Sequence, residues 1–120
     1  MRLNIEGTLR RELEAAIGVP VYVSVPKKPP DDFATVERTG GGDGSTPISE
    51  NPTVVIDCYG GTRERAFELA DRTDSAIRSM PGRVGGIARV EPNSVLVHYP
   101  DTVSLHERYE STYRITTFRY

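Results

Sequence analysis

The two histidines are the side chains in this sequence best suited to acid–base catalysis or metal binding near neutral pH. His98 and His106 are eight residues apart across a Pro-Asp turn, and neither belongs to an H-x-x-H or H-E-x-x-H motif. His98 alternates with apolar residues in a predicted strand, and His106 lies in a predicted polar loop. The spacing therefore favours ordinary structural positions for both over a metal site or a catalytic role.

Two acidic pairs are the remaining candidates for general acid–base chemistry. Asp31 and Asp32 follow two prolines in a predicted surface loop, and Asp71 and Asp74 lie beside arginines on the outer face of a predicted helix. Carboxylates in such places are normally solvated. Because neither pair has a feature that would perturb its pKa, we expect no catalytic residue, no metal site, no cofactor and no enzymatic activity.

Five arginines make the second predicted helix and its exit locally basic: Arg63, Arg65, Arg72, Arg78 and Arg83. Acidic residues are interleaved with them, which favours a solvated face over a stripe that binds nucleic acid. The chain has 15 basic and 17 acidic residues and a net charge of −2, which argues against a protein whose main role is to grip a phosphate backbone. A small nucleic-acid-binding module that stacks bases on some of its six tyrosines stays the alternative.

A glycine-rich segment at residues 40–47 has the composition of a phosphate-binding loop but not its motif. It lacks the Lys-Ser/Thr pair that follows the glycines, and it does not open onto a predicted helix. It also has no apolar side chain to bury and a large backbone entropy to lose on ordering. We therefore predict a flexible loop at about residues 39–51, of the kind that is usually functional or disordered.

Two helices and several short strands must position these residues. The helices are predicted at residues 4–17 and 62–80, from their apolar periodicity and capping residues. The strands are predicted at residues 21–25, 33–38, 52–59, 83–92, 94–99 and 108–120, the fourth and fifth being either separate or joined. Hairpin-spaced strands with few helices favour an α+β fold, in which a mainly antiparallel sheet carries both helices on one face.

The strand at residues 52–59 runs directly into the longer helix, and this unit organises the predicted core. The expected core residues are Leu9, Leu13, Ile17, Phe67, Ala70, Ile77 and either Val54 or Val55. The only cysteine, Cys58, is expected to be a small buried hydrophobe. The length suits a single domain over residues 1–120, and we expect neither a secretion signal nor a membrane-spanning segment.

Five features follow one another along nearly the whole chain. They are a first helix followed by Val19-Pro-Val-Tyr-Val23; a prolyl loop leading into Phe33-Ala-Thr-Val-Glu-Arg-Thr-Gly-Gly41; the strand Pro52-Thr-Val-Val-Ile-Asp-Cys-Tyr-Gly60; the helix motif Ala66-x-x-Leu69-Ala70; and Tyr99-Pro-Asp101 with Glu107-Arg-Tyr109 before a β-rich end. This ordered set resembles the tail terminator (tail completion) proteins of long-tailed bacteriophages, which are small α+β proteins at the head-proximal end of the tail tube.

The resemblance implies a structural virion protein that caps the tail tube as a hexameric ring, stops its growth and joins tail to head. Its partners would be further copies of itself, the tail tube protein and head connector proteins. DNA would pass through the ring without sequence-specific binding, and no membrane would be involved. The particle would be assembled in the host cytoplasm, and the free chain would be a monomer or a ring. Another neck or connector protein of the head–tail junction is the alternative.

The glycine-rich segment is the candidate interface in such an assembly, because hairpins need only about two to five connecting residues and such loops often fold on binding. The candidate residues are Gly40, Gly41, Gly42, Asp43, Gly44, Ser45, Thr46, Pro47, Ile48, Ser49 and Glu50. A neutral insertion is the alternative, since a doubling of loop length costs only about 0.6 kcal/mol.

Overall fold

Two helices pack on one face of a five-stranded sheet in the computed structural model, which describes residues 2–44, 46–103 and 105–118. The elements are α1 (Ile5–Ile17), β1 (Val21–Tyr22), β2 (Phe33–Asp43), β3 (Ser49–Gly60), α2 (Arg63–Arg78), β4 (Ile87–His98) and β5 (Glu107–Phe118). The strands lie in the order β1-β2-β3-β5-β4, and only β1 with β2 is a parallel pair. The predicted α+β fold with a mainly antiparallel sheet is confirmed.

Both helices begin after a residue whose side chain caps them; Thr62 is the predicted cap of α2, and the capping role of Asn4 is a finding of the structure. Asn4 Oδ1 accepts a hydrogen bond from the Gly7 N–H at 3.1 Å, and Thr62 Oγ1 accepts one from the Arg65 N–H at 3.1 Å. α1 ends before Gly18, which adopts the left-handed conformation with φ 71° that glycine tolerates best. No helix in the described ranges is long and apolar enough to cross a membrane.

The sheet has a covered face under the helices and an open face on its other side. Alternate residues of the three central strands form the buried layer of the covered face: Ala34, Val36, Val54, Ile56, Tyr113 and Ile115. They belong to the same hydrophobic cluster as Leu9, Leu13 and Ile17 of α1 and Leu69, Ala70 and Ile77 of α2. The predicted core is confirmed at these positions, with Val54 rather than Val55 buried.

Cys58 also belongs to the covered face and is fully buried, as predicted. Its Sγ lies 3.4 Å from Thr73 Oγ1 on α2. Burial raises the pKa of the thiol to about 12, because a thiolate would lose its hydration there. The side chain therefore acts as part of the core and carries no reactive thiolate at neutral pH.

The prediction that Phe67 lies in the core is wrong. Its side chain is 46% exposed, and its ring meets the edge of Tyr109 with centroids 5.6 Å apart. The buried stripe of α2 instead follows Ala66, Leu69 and Thr73. Phe67 lies at the edge of this buried stripe on the helix surface. The spacing of apolar residues alone could not distinguish a residue at the centre of the buried face from one at its edge.

Two strand predictions also differ from the structure. β1 covers only Val21 and Tyr22, and Val23 and Val25 are about half exposed because the chain leaves the sheet before the prolyl loop. The two predicted strands after α2 form one strand, β4, which begins at Ile87 and contains three register shifts against β5. Gly85 and Gly86, which precede β4, lie in a turn, a position that suits the conformational freedom of glycine.

The strands are long compared with the molecule. Twelve residues at about 3.3 Å each span roughly 40 Å, and the molecule measures 43 × 24 × 23 Å. One end therefore holds the connection between β2 and β3, and the other end holds the loops after β1 and β4.

Candidate assembly interface

Most of the segment predicted to be a flexible loop at about 39–51 is a β-hairpin. β2 continues to Asp43 and β3 begins at Ser49, so the connection comprises residues 44–48. Ser45 lies outside the described residues. The composition misled the prediction because backbone pairing with β3 provides the hydrogen bonds that glycine side chains cannot.

Gly41 shows why glycine is needed inside β2. The register shifts between Arg38 and Gly40, and Gly41 then adopts φ 110°, which side-chain-bearing residues rarely do. A Cβ atom there would overlap the backbone of Asn51 and Pro52. The glycine run therefore has a role in strand geometry.

Two residues of the predicted interface are buried and hold the hairpin together. The Glu50 side chain is 3% exposed; its Oε1 accepts from Arg38 Nη1 at 2.8 Å and its Oε2 from Arg2 Nε at 2.7 Å. Ser49 Oγ accepts a hydrogen bond from the Thr46 N–H at 3.2 Å. Glu50 and Ser49 are thus anchors of the hairpin.

Replacing Glu50 with glutamine should lower the free energy of unfolding by about 1–2 kcal/mol, because two charge-assisted hydrogen bonds to arginine are weakened. Chemical denaturation would measure the change. Glu37→Gln, at an exposed position of β2, is the matched control and should shift stability by less than about 0.5 kcal/mol. Equal effects of the two substitutions would contradict the anchoring role.

The rest of the predicted interface is accessible to a partner. The exposed members are Gly40, Gly41, Gly42, Asp43, Thr46, Pro47 and Ile48, and Gly44 is partly exposed. Ile48 is 60% exposed and is the one large apolar side chain of the connection. Among the residues of the β2–β3 connection, burial of Ile48 against another protein would therefore contribute most to the free energy of binding.

The two histidines lie on opposite faces of the sheet. His98 Nε2 is 2.6 Å from Glu107 Oε2, and its ring packs beside Tyr109 on the covered face. The ring of His106 lies against Phe33 on the open face, with centroids 5.4 Å apart. The two rings therefore cannot act on one substrate. No group of three or more His, Cys, Asp or Glu residues within 2–44, 46–103 and 105–118 is arranged to hold a metal.

One member of each acidic pair singled out in the sequence forms an ion pair with an arginine. Asp32 Oδ2 is 2.8 Å from Arg65 Nε, and Asp74 Oδ2 is 2.9 Å from Arg78 Nε. Asp74 Oδ1 also accepts a hydrogen bond from the Tyr113 hydroxyl at 2.6 Å. Arg65 and Arg78 are thus used in ion pairs at the protein surface, as a solvated helix face predicts.

An acidic pair that the sequence analysis missed lies on the open face. Asp57 of β3 and Glu110 of β5 are directly opposite each other, a position in which like charges repel. Asp57 Oδ1 is buried, and the two carboxyls form a side-chain hydrogen bond when one of them carries a proton. Burial first, and then the neighbouring Glu110 carboxyl, raises the pKa of Asp57 to about 7.

Asp57 lines a pocket of about 550 Å³, which we call the sheet-face pocket. Its floor is formed by the strands, with Thr35, Tyr59 and Arg108, and one wall by Val23 and neighbouring residues of the loop after β1. A carboxylate in the middle of an apolar strand was the visible sequence signal. Its partner could not be identified, because the register of two strands about fifty residues apart is not a local property.

The raised pKa of Asp57 predicts that stability falls as the pH rises. The folded protein keeps a proton up to about pH 7 that the unfolded chain releases near pH 4. The free energy of unfolding should therefore decrease between about pH 4 and pH 7 and be level above that range. Asp57→Asn should remove this contribution and stabilise the protein at pH 8 by about 1–2 kcal/mol, after allowance for partial solvent screening. Denaturation curves at pH 5 and pH 8 would test this, and an unchanged pH dependence in the variant would contradict it.

The end of the molecule opposite the hairpin connection exposes several apolar side chains. Val103 and Leu105 are 91% and 87% exposed, and Tyr99 is 54% exposed. Val103 shares a pocket of about 580 Å³ with Val25 and other residues of the loop after β1. Neighbouring exposed aliphatic side chains are typical of surfaces that contact another protein.

The fold is similar to that of a chain in a virion. No protein-family model and no curated protein matches the chain. A chain in the virion of a native gene transfer agent particle superposes with a TM-score of 0.63 at 15% identity, over 95% of this chain and 94% of that chain. The structure of bacteriophage SPP1 gp17 protein gives a TM-score of 0.48 at 17% identity, over 97% of this chain and 96% of that chain. The first of these likenesses shows a shared fold over nearly the full length of both chains.

Proposed function

We propose that this chain is a structural protein of a phage-like virion that forms a ring on the head-proximal end of the tail tube. In that place it stops tube growth and joins the tail to the head. The observation that carries the proposal is the fold shared with a gene transfer agent virion chain over 95% of this sequence. The ordered sequence resemblance to tail terminator proteins supports it independently of the structure.

The two ends of the molecule fit a protein that connects neighbours. The β2–β3 connection presents Ile48 at one end, and the loop after β4 presents Val103 and Leu105 at the other. A ring subunit needs heterologous contacts, in which different patches of identical copies meet. A junction protein also needs one surface for the tube and another for the head side, and the separated apolar patches provide candidates for these contacts.

The charge distribution fits a ring through which DNA passes without being gripped. The net charge is −2, and Arg65 and Arg78 on the outer face of α2 are used in ion pairs. Binding of a phosphate backbone would require several free basic side chains on one face. A nucleic-acid-binding module is therefore the weaker candidate. Another neck or connector protein would use the same kind of protein–protein contacts and would differ from a tail terminator only in the proteins that it contacts.

Loss of the gene from a particle-producing host is the direct test. We expect tail tubes of abnormal length that fail to join heads, and wild-type protein supplied in trans should restore normal particles. Electron microscopy would measure the tube lengths. Tubes of normal length that lack heads would instead indicate the alternative neck position. Normal particles in the absence of the protein would contradict the proposal.

A second measurement concerns the ring itself. Native mass determination of the purified chain, alone and with the tail tube protein of the same particle, should show six copies in the assembled form. A persistent monomer in both samples would contradict ring formation.

A further inference from the structure

β4 is a long strand at one edge of the sheet. It extends over twelve residues, Ile87–His98, and its outer side has no strand partner among the residues that the structure describes. Strands in globular proteins more often have about five or six residues. An edge of this length presents unpaired N–H and C=O groups, to which a strand of another molecule can add.

Three β-bulges interrupt this edge. Against β5, β4 has one extra residue at Ala88, one at Asn93 and one between Ser94 and Val97. A bulge bends the strand and increases its twist, so the outward backbone groups on its two sides are no longer in line. The longest run of β4 in unbroken register with β5 is therefore Arg89–Pro92.

Pro92 is a further obstacle to strand pairing. It is exposed and lies at the end of the longest regular run of β4. Proline has no N–H to donate to an added strand, and within sheets it is confined to edges, strand ends and bulges. The one regular part of this edge is therefore interrupted as well.

The third bulge contains a strained residue with its own hydrogen-bond partner. Leu96 has φ 53°, a left-handed conformation that bulky side chains rarely adopt. Its N–H donates to Oγ of Ser111, a buried residue of β5, at 2.9 Å. The serine hydroxyl thus satisfies a backbone group that the bulge removes from the ladder. Strain that is supported in this way is typical of a feature with a role.

The opposite edge of the sheet is closed by other means. β1 pairs with β2 only at Ala34 and Thr35, and farther along β2 the Arg38 N–H donates to Oε2 of Glu6 on α1 at 2.9 Å. The register of β2 then shifts between Arg38 and Gly40. Within the described ranges, neither edge of the sheet therefore offers a long regular ladder to another strand.

We propose that the bulges and Pro92 of β4 are a guard against strand pairing between copies of this chain. Pairing of β4 with the β2 edge of a second copy would join different edges of identical molecules. Such a contact adds copies without limit and produces a filament unless its rotation closes a ring. The guard leaves the loops at the two ends of the molecule and the exposed side chains as the surfaces through which copies meet. It acts in the free chain and does not depend on the proposed ring.

Making β4 regular should produce the association that the guard prevents. Deletion of Asn93 combined with Pro92→Thr removes one bulge and restores one N–H. The residues on either side keep their partners on β5, so the same side chains should face the core. We expect the variant to retain a cooperative melting transition and its self-association constant to rise by at least about tenfold, because an added strand binds through main-chain hydrogen bonds.

Two readouts identify strand pairing. Light scattering over a concentration series would measure self-association, and hydrogen exchange followed by mass spectrometry would show whether the amides of β4 become protected in the associated form. Asn93→Ser is the matched control, because it changes the side chain and keeps the bulge; it should associate no more than the wild type. Deletion of Ala88, which is exposed in the first bulge, provides a second regularised variant if the first one folds poorly.

The outcomes decide the inference without reference to the ring. If a regularised variant folds and associates no more than the wild type, the bulges are not a guard. If association appears only with loss of the cooperative melting transition, it comes from unfolding, and the inference is overturned. If neither regularised variant reaches the native fold, the bulges serve folding, and the inference is again overturned. Ring formation by the wild type with the tail tube protein is measured separately, so a failure of the proposed function is distinguishable from a failure of this inference.

Discussion

Replacing Leu69 with alanine is expected to lower the free energy of unfolding by about 2–5 kcal/mol. Leu69 is completely buried in the layer between α2 and the sheet. Truncation would leave a cavity that the surrounding helices and strands can only partly fill. Since many domains of this size are stable by only about 5–15 kcal/mol, the variant should melt well below the wild type or fail to accumulate.

Phe67→Ala is the matched control, because it removes a larger side chain two residues away on the same helix. Its ring is half exposed and makes one edge contact with Tyr109, so the expected loss is only about 1 kcal/mol. Urea denaturation of both variants would measure the difference. A larger loss at Phe67 than at Leu69 would mean that α2 is rotated relative to the structure described above.

The largest effect on assembly is expected from Ile48→Asp at the β2–β3 connection. Ile48 is 60% exposed, so the free energy of unfolding should change by less than about 0.5 kcal/mol. A charge at a contact that excludes water should weaken association with neighbouring copies or with the tube by at least about tenfold. Tail length and head attachment in particles that carry the variant would measure the consequence.

Two further variants serve as controls for Ile48→Asp. Ile48→Val keeps an apolar side chain and should give normal tails. Replacement of residues 44–48 by an Asn-Gly turn preserves the hairpin and the Glu50 anchor while removing the exposed tip. Normal tails joined to heads with both Ile48→Asp and the shortened connection would show that this tip is a neutral insertion.

The elements with local signals could be predicted from the sequence. Asn4, Thr62 and Gly18 mark helix ends through hydrogen bonds or backbone angles that involve only their near neighbours. The alternation along β5 likewise places Tyr113 and Ile115 on one face, and the structure shows that this face is the buried one. Each of these predictions depends on a few consecutive residues.

The features that depend on distant pairing could not be predicted. Gly41 looked like part of a flexible loop because its value to the fold appears only when the backbone of Asn51 lies against it. The opposition of Asp57 and Glu110 depends on the register of β3 against β5, which no short stretch encodes. The candidate interface is therefore the part of the molecule that the sequence described least well.

The length of the strands has a mechanical consequence. β3 and β5 are paired in one register from Ser49 with Phe118 to Gly60 with Glu107, with an interruption at Asn51 and Pro52, so the ladder runs from one end of the molecule to the other. Such a ladder is stiff along its axis, since stretching it would require its hydrogen bonds to break together. A partner at the hairpin tip and another at the opposite loops would be held at a fixed spacing of roughly 40 Å. The subunit would then act as a rigid spacer, and its strand length would set the distance between whatever binds at its two ends.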